Sequence, residues 1–102
     1  QLAEEEFNKA LRLAPDNAEV YKDLALLNYN QGKYEVAYEQ SKKAIALDRT
    51  MKEAYVVLAS LYAQKGRQED AIRTLKMVKE VSTRTDAVDE LAERMMAQLQ
   101  SY

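Results

Sequence analysis

Apolar side chains recur along this chain in steps of three and four, not in the alternation of a half-buried strand. Val20, Leu24 and Leu27 form one stripe, widened by Tyr21 and Ala25; Ala54, Leu58 and Leu61 form another, widened by Tyr55 and Ala59. Only Pro15, Gly32 and Gly66 interrupt the pattern, so it predicts an all-α chain. Asp16 stands three residues before Glu19, and Thr50 three before Glu53. At that spacing side-chain oxygens can satisfy the unpaired N–H groups of a first helical turn, which predicts helix starts near 17 and 51. Each helix should stop before its glycine, whose access to the left-handed region lets the chain reverse into a second helix, at about 34 to 47 and 68 to 81.

The two predicted pairs are copies. Gly32 and Gly66 are 34 residues apart, as are Ala37 and Ala71. In the same register stand Glu19 and Glu53, Tyr21 and Tyr55, Leu24 and Leu58, Ala25 and Ala59, Leu27 and Leu61, Glu35 and Glu69, and Lys42 and Lys76. Most of these are packing or turn positions, the signature of units that cannot bury their faces alone and so stack on one another. One unit is assigned to residues 18–51 and the next to 52–85. Ala3, Ala10 and Leu13 precede Ala37, Ala44 and Leu47 by the same 34, so residues 1–14 read as the second helix of an earlier, truncated unit. With Gln1 opening in mid-pattern, the chain is expected to be a piece of a longer repeat protein. Residues 86–102 continue with an apolar face at Val88, Ala92, Met95, Leu99 and Tyr102, behind an Asp86 cap. There Asp89 and Glu93 replace Tyr55 and Ala59, and Gln100 replaces Gly66, so the turn into another helix is lost.

Composition narrows the chemistry. The chain of 102 residues is 47% apolar and 31% charged, which fits one small globular domain. It has no cysteine and no histidine, which removes thiolate metal sites, disulfides and the commonest general base. No apolar run is long enough for a membrane span or a secretory signal; the compartment stays open, with the cytoplasm favoured. The net charge of −2 divides into seven Lys or Arg against four Asp or Glu over residues 52–85, and four acids against Arg94 over 86–102. These read as solvated faces, with a basic patch for an acidic partner as the alternative. Lys65, Arg67, Arg73, Lys76, Lys79 and Arg84 lack interleaved aromatics for base stacking, so no nucleic acid is expected. Glu4, Glu5 and Glu6 are adjacent on a helix and cannot converge on a metal or a substrate. No cofactor and no catalytic activity are expected.

Tyr21, Leu24, Ala25, Gly32, Tyr34, Ala37 and Ala44, repeated as Tyr55, Leu58, Ala59, Tyr62, Gly66 and Ala71, resemble the tetratricopeptide repeat; Ala3, Phe7, Ala10 and Pro15 fit the end of a preceding unit. Departures fall at Asn28, Ser41 and Leu75, where the pattern has aromatics, at Val78, where it has alanine, and at Arg49 and Thr83, where Pro15 has its counterparts. The resemblance implies a right-handed α-solenoid of antiparallel helix pairs, about two and a half units long, closed by a C-terminal capping helix at 86–102 with a polar outer face. It also implies that the first helices line a concave groove for a partner peptide or helix.

The groove face left after the packing stripe is subtracted comprises Lys22, Leu26, Tyr29 and Asn30, then Val56, Ser60, Ala63 and Gln64, then Glu90, Arg94 and Gln98. Leu26, Tyr29 and Val56 make one end apolar, which calls for an apolar side chain on the partner. Asn30, Gln64 and Gln98 form a 34-residue ladder of amides suited to a peptide backbone. The lysine and asparagine set with which one subgroup of the family clamps acidic chaperone tails is matched only by Lys22, since Leu26 and Val57 stand at its asparagine positions. The expected function is therefore a protein-interaction scaffold binding another protein. The alternatives are a self-associating homo-oligomer held by exposed end helices such as those bearing Leu91 and Met96, and a regulatory segment of a larger enzyme or secretion or assembly machine.

Overall fold

The computed structural model describes Lys9, residues 16–81 and residues 87–100. It contains α1 (Ala18–Asn30), α2 (Tyr34–Leu47), α3 (Lys52–Gln64), α4 (Gln68–Glu80) and α5 (Ala87–Gln100). The helix expected over residues 1–14 and the joint at 82–86 lie outside the described residues, apart from Lys9. Helices α1 and α2 form one antiparallel hairpin and α3 and α4 a second; α5 packs on α4 and α3, and the row α1, α3, α5 forms one layer of an all-α solenoid.

Both hairpins turn on the same hydrogen bonds. At the first, the Gly32 N–H donates to the Tyr29 carbonyl (3.0 Å) and the Lys33 N–H to the Asn28 carbonyl (2.8 Å). At the second, Gly66 donates to Ala63 (3.0 Å) and Arg67 to Tyr62 (2.9 Å). These paired bonds close the last turn of a helix only if the residue between them is left-handed, and Gly32 and Gly66 sit at φ 78° and 77°.

The helix starts differ from the predicted caps. For α1 the cap is Asn17, whose Oδ1 accepts the Val20 N–H at 3.3 Å; Asp16 lies one residue too early. Glu19 is then the second residue of the helix and cannot reach back to close a capping box. For α3, Thr50 is not the cap. Its N–H and hydroxyl both donate to Asp48 Oδ1, at 3.0 and 2.6 Å, and Met51 caps the helix without a side-chain bond. A short carboxylate two residues upstream has captured the hydroxyl first. The Thr50 hydroxyl, then its N–H, hold the Asp48 carboxyl below its ordinary value.

Small residues set the spacing between helices. Ala25, Ala37, Ala44, Ala54, Ala59, Ala71 and Ala92 are all fully buried. One core cluster joins Ala25, Ala37, Val57 and Leu61, with Tyr29 and Tyr38 against it; the other joins Tyr55, Ala59, Ala71, Leu75, Val78 and Ala92, with Met95, Met96 and Leu99 against it. Val20, Tyr21 and Leu27 are only half-buried, so the predicted stripe is better covered on α3 than on α1. The family departures Asn28 and Ser41 are buried, and each is hydrogen-bonded. Asn28 Nδ2 donates to Gln40 Oε1 (2.7 Å), and the Ser41 hydroxyl donates to the Tyr38 carbonyl (2.9 Å).

The polar positions of α5 do not all face outward. Asp89, which replaces a tyrosine of the repeat, does not join a polar outer face. It is 4% exposed, and its Oδ2 pairs with Lys52 Nζ, itself 6% exposed, at 2.7 Å. Glu93 is half-exposed but also reaches inward, pairing with Lys79 of α4. Two acids on α5 thus meet one lysine from each helix of the preceding hairpin. Only the buried pair carries much energy, because solvent screens the other.

Asp89→Ala should destabilise the protein by about 3–5 kcal/mol, since it strands a buried ammonium. The double variant Lys52→Met/Asp89→Leu should recover most of that loss. Urea unfolding of the three proteins checks both; equal losses in the single and double variants would show that the pair is not what holds this contact. A Cβ at Gly66 would meet no atom within 4 Å, so Gly66→Ala should cost only the left-handed strain, about 1–2 kcal/mol, by the same measurement.

Candidate functional site

The exposed side of the α1, α3, α5 layer is divided into two clefts. The smaller, about 210 Å³, lies toward the starts of the helices and is walled by Lys22 and Leu26 of α1, Glu53, Val56 and Val57 of α3, and Val88 and Leu91 of α5. The larger, about 370 Å³, lies toward their ends and is walled by Tyr29 of α1, Ser60, Ala63 and Gln64 of α3, and Met95, Gln98 and Leu99 of α5.

Of the sequence-derived groove residues, Lys22, Leu26 and Val56 meet in the first cleft, and Tyr29, Ser60, Ala63, Gln64 and Gln98 in the second. Asn30, Glu90 and Arg94 are exposed and line neither. The amide ladder is therefore two rungs, Gln64 and Gln98, rather than three. Sequence reasoning missed Glu53, Val57, Val88, Leu91, Met95 and Leu99. The 34-residue step carried the exposed ridge of α1 onto α5, but α5 lines the clefts with Val88, Leu91, Met95, Gln98 and Leu99. Val57 and Leu91 share one register position, a signal that was available in the repeat alignment.

The first cleft is apolar at its floor and nearly self-neutralised at its rim. Lys22 Nζ pairs with Asp23 at 2.9 Å. Burial works to lower the Lys22 pKa, but the Asp23 hydrogen bond and the charges of Asp23, Glu53 and Glu19 outweigh it, leaving Lys22 above its ordinary value. An ammonium already held by carboxylates has little to give to an incoming one. Leu26 is 45% exposed, an unusual outlay of apolar surface beside that pair. In the second cleft the Ser60 hydroxyl is turned back to the Val56 carbonyl (3.0 Å), so Gln64 and Gln98 carry the polar capacity of its wall. Tyr29 is steadied by the Tyr34 ring at 5.4 Å between centroids.

Among the described residues, no group of three or more Asp or Glu side chains is gathered as a metal site would require. Nor is any described helix long and apolar enough to cross a membrane.

The family model for the tetratricopeptide repeat matches residues 29–99. With the two hairpins in phase, this chain belongs to the tetratricopeptide repeat family. A human protein named Protein O-mannosyl-transferase TMTC1 is 36% identical over 70 residues, 69% of this chain. The chain spans about 8% of that relative's length. Among solved structures, the TPR2B domain of yeast Sti1, in a complex with pHsp70, has a TM-score of 0.87 at 16% identity, covering 96% of this chain and 80% of that one. The first TPR of Spaghetti (RPAP3), bound to the Hsp90 peptide SRMEEVD, has a TM-score of 0.80 at 19% identity, covering 97% of this chain and 78% of that one. At such identities the likeness is one of fold.

Proposed function

We propose that the chain is a protein-interaction scaffold that takes a segment of a partner protein, as a peptide or helix, across α1, α3 and α5. The observation that carries this reading is the apolar cleft shared by all three helices, where Leu26, Val56, Val57, Val88 and Leu91 converge. A patch with no charged partner to cover it gains free energy by taking an apolar side chain from another molecule. Gln64, farther along, offers a donor and an acceptor suited to the partner's backbone. The Hsp90 peptide bound to the first TPR of RPAP3, and the complex of the Sti1 domain with pHsp70, support a partner segment as the occupant. The occupant here is different in kind, anchored by an apolar side chain and not by a terminal carboxylate, because Lys22 is already committed to Asp23. The reading gives the chain no catalytic step.

A second reading has one observation in its favour. The human relative is by name a transferase, and the match covers a small part of it. In that reading this chain is the repeat segment of a larger enzyme, and its groove recruits a protein to chemistry performed elsewhere.

A displayed random-peptide selection on the protein should return a motif centred on a large apolar residue, binding at about micromolar strength. Leu26→Asp, shown by circular dichroism to be folded, should lose those peptides. The acidic peptide SRMEEVD should bind the parent no better than it binds Leu26→Asp. Identical enrichment on both proteins would refute the groove as the site, and SRMEEVD binding that Leu26→Asp weakens would refute the apolar anchor.

A further inference from the structure

Helix α3 has a second side that its neighbours cover only in part: Tyr55 and Leu58 are buried there and Tyr62 is half-buried. Tyr55, Leu58 and Tyr62 fall on the face opposite Val56, Ser60 and Ala63, at a spacing of three and seven residues. Over them α2 and α4 do not close: each packs on α3, yet the two make no close approach to one another. The gap is an apolar cleft of about 430 Å³, walled chiefly by Lys42, Ile45 and Arg49 from α2 and the segment after it, Leu58 and Tyr62 from α3, and Met77 from α4. Met77 is 39% exposed there, a flexible thioether on an open wall.

Its charge is one-sided. Lys42 and Arg49 line the cleft and no carboxylate does. Among the described residues neither cation forms an ion pair; Lys42 Nζ lies over the Tyr38 ring at 5.0 Å, and Lys65 Nζ is also 5.0 Å from that ring. Asp48 is held by Thr50, and Asp70 by Arg67 and Arg73. Apolar depth with two uncompensated cations at the mouth is complementary to an apolar group that has carboxylates beside it. It differs from the groove cleft, where Lys22 is already neutralised.

We propose that the cleft between α2 and α4 is a second docking site, which takes an acidic segment of a partner protein, inserting one large apolar side chain against Leu58, Tyr62 and Met77 and setting flanking carboxylates on Lys42 and Arg49. The two sites lie on opposite sides of α3, so one scaffold can hold two segments at once. The cation pair selects the segment, and the apolar pocket supplies most of the affinity.

The test uses the folded Leu26→Asp protein, so that groove binders are absent and failure of one site is separable from failure of the other. A displayed random-peptide selection on it should enrich acidic peptides with one large apolar residue. By fluorescence anisotropy these should bind Leu26→Asp and the parent protein alike. They should weaken roughly tenfold in Lys42→Glu/Arg49→Glu and also in Ala46→Trp, which fills the cleft without changing its charge. Binding should fall as salt rises. Sodium decanoate serves as the second arm. If it binds the cleft and no peptide is enriched, the occupant is an anionic amphiphile and the proposal fails. It fails equally if no peptide is enriched and decanoate does not bind, or if the enriched peptides bind all variants alike.

Discussion

The closeness with which these helices can approach is the constraint on which the rest depends. Where Ala25, Ala37, Ala59 and Ala71 face a neighbouring helix, nothing larger than a methyl group stands between backbones, and a hairpin so built has little side-chain volume to bury within itself. The larger residues find cover across the joints: Leu61 clusters with Ala25 and Ala37 of the preceding hairpin, and Tyr55 and Leu75 with Ala92 of α5. Stacking is therefore a condition of folding and not an arrangement of finished parts. The same stacking leaves the first helices in a row, with one side of that row uncovered.

What was legible in the sequence follows from this. A packing residue must recur in phase, so the 34-residue period exposed both hairpins, their glycine turns and the alanine contacts. Caps obey a more local competition. Thr50 was as good a cap as any by spacing, but Asp48 is two residues away and reaches it before the helix does. The part played by Asp89 was not legible for a related reason. At a position where tyrosine is normal, an acid reads as surface unless the distant lysine that neutralises it is known, and Lys52 lies 37 residues earlier.

The groove was legible where the repeat is regular and illegible where it stops. Lys22, Leu26 and Val56 gather because α1 and α3 are equivalent helices. On α5 the equivalence ends, so Glu90 and Arg94 look away and Val88, Leu91 and Met95 take their place. The ion pair of Lys22 with its own neighbour could not be derived from spacing at all.

The buried bond from Lys52 to Asp89 has a consequence for how the array comes apart. In a repeat array each interface ordinarily loosens by degrees, and a terminal helix frays without disturbing the one before it. Here the first residue of α3 is charged, buried and satisfied by α5. Loss of α5 therefore breaks a buried ion pair as well as apolar contact, and the fraying of α5 is tied to the start of α3 more tightly than apolar stacking alone would tie it.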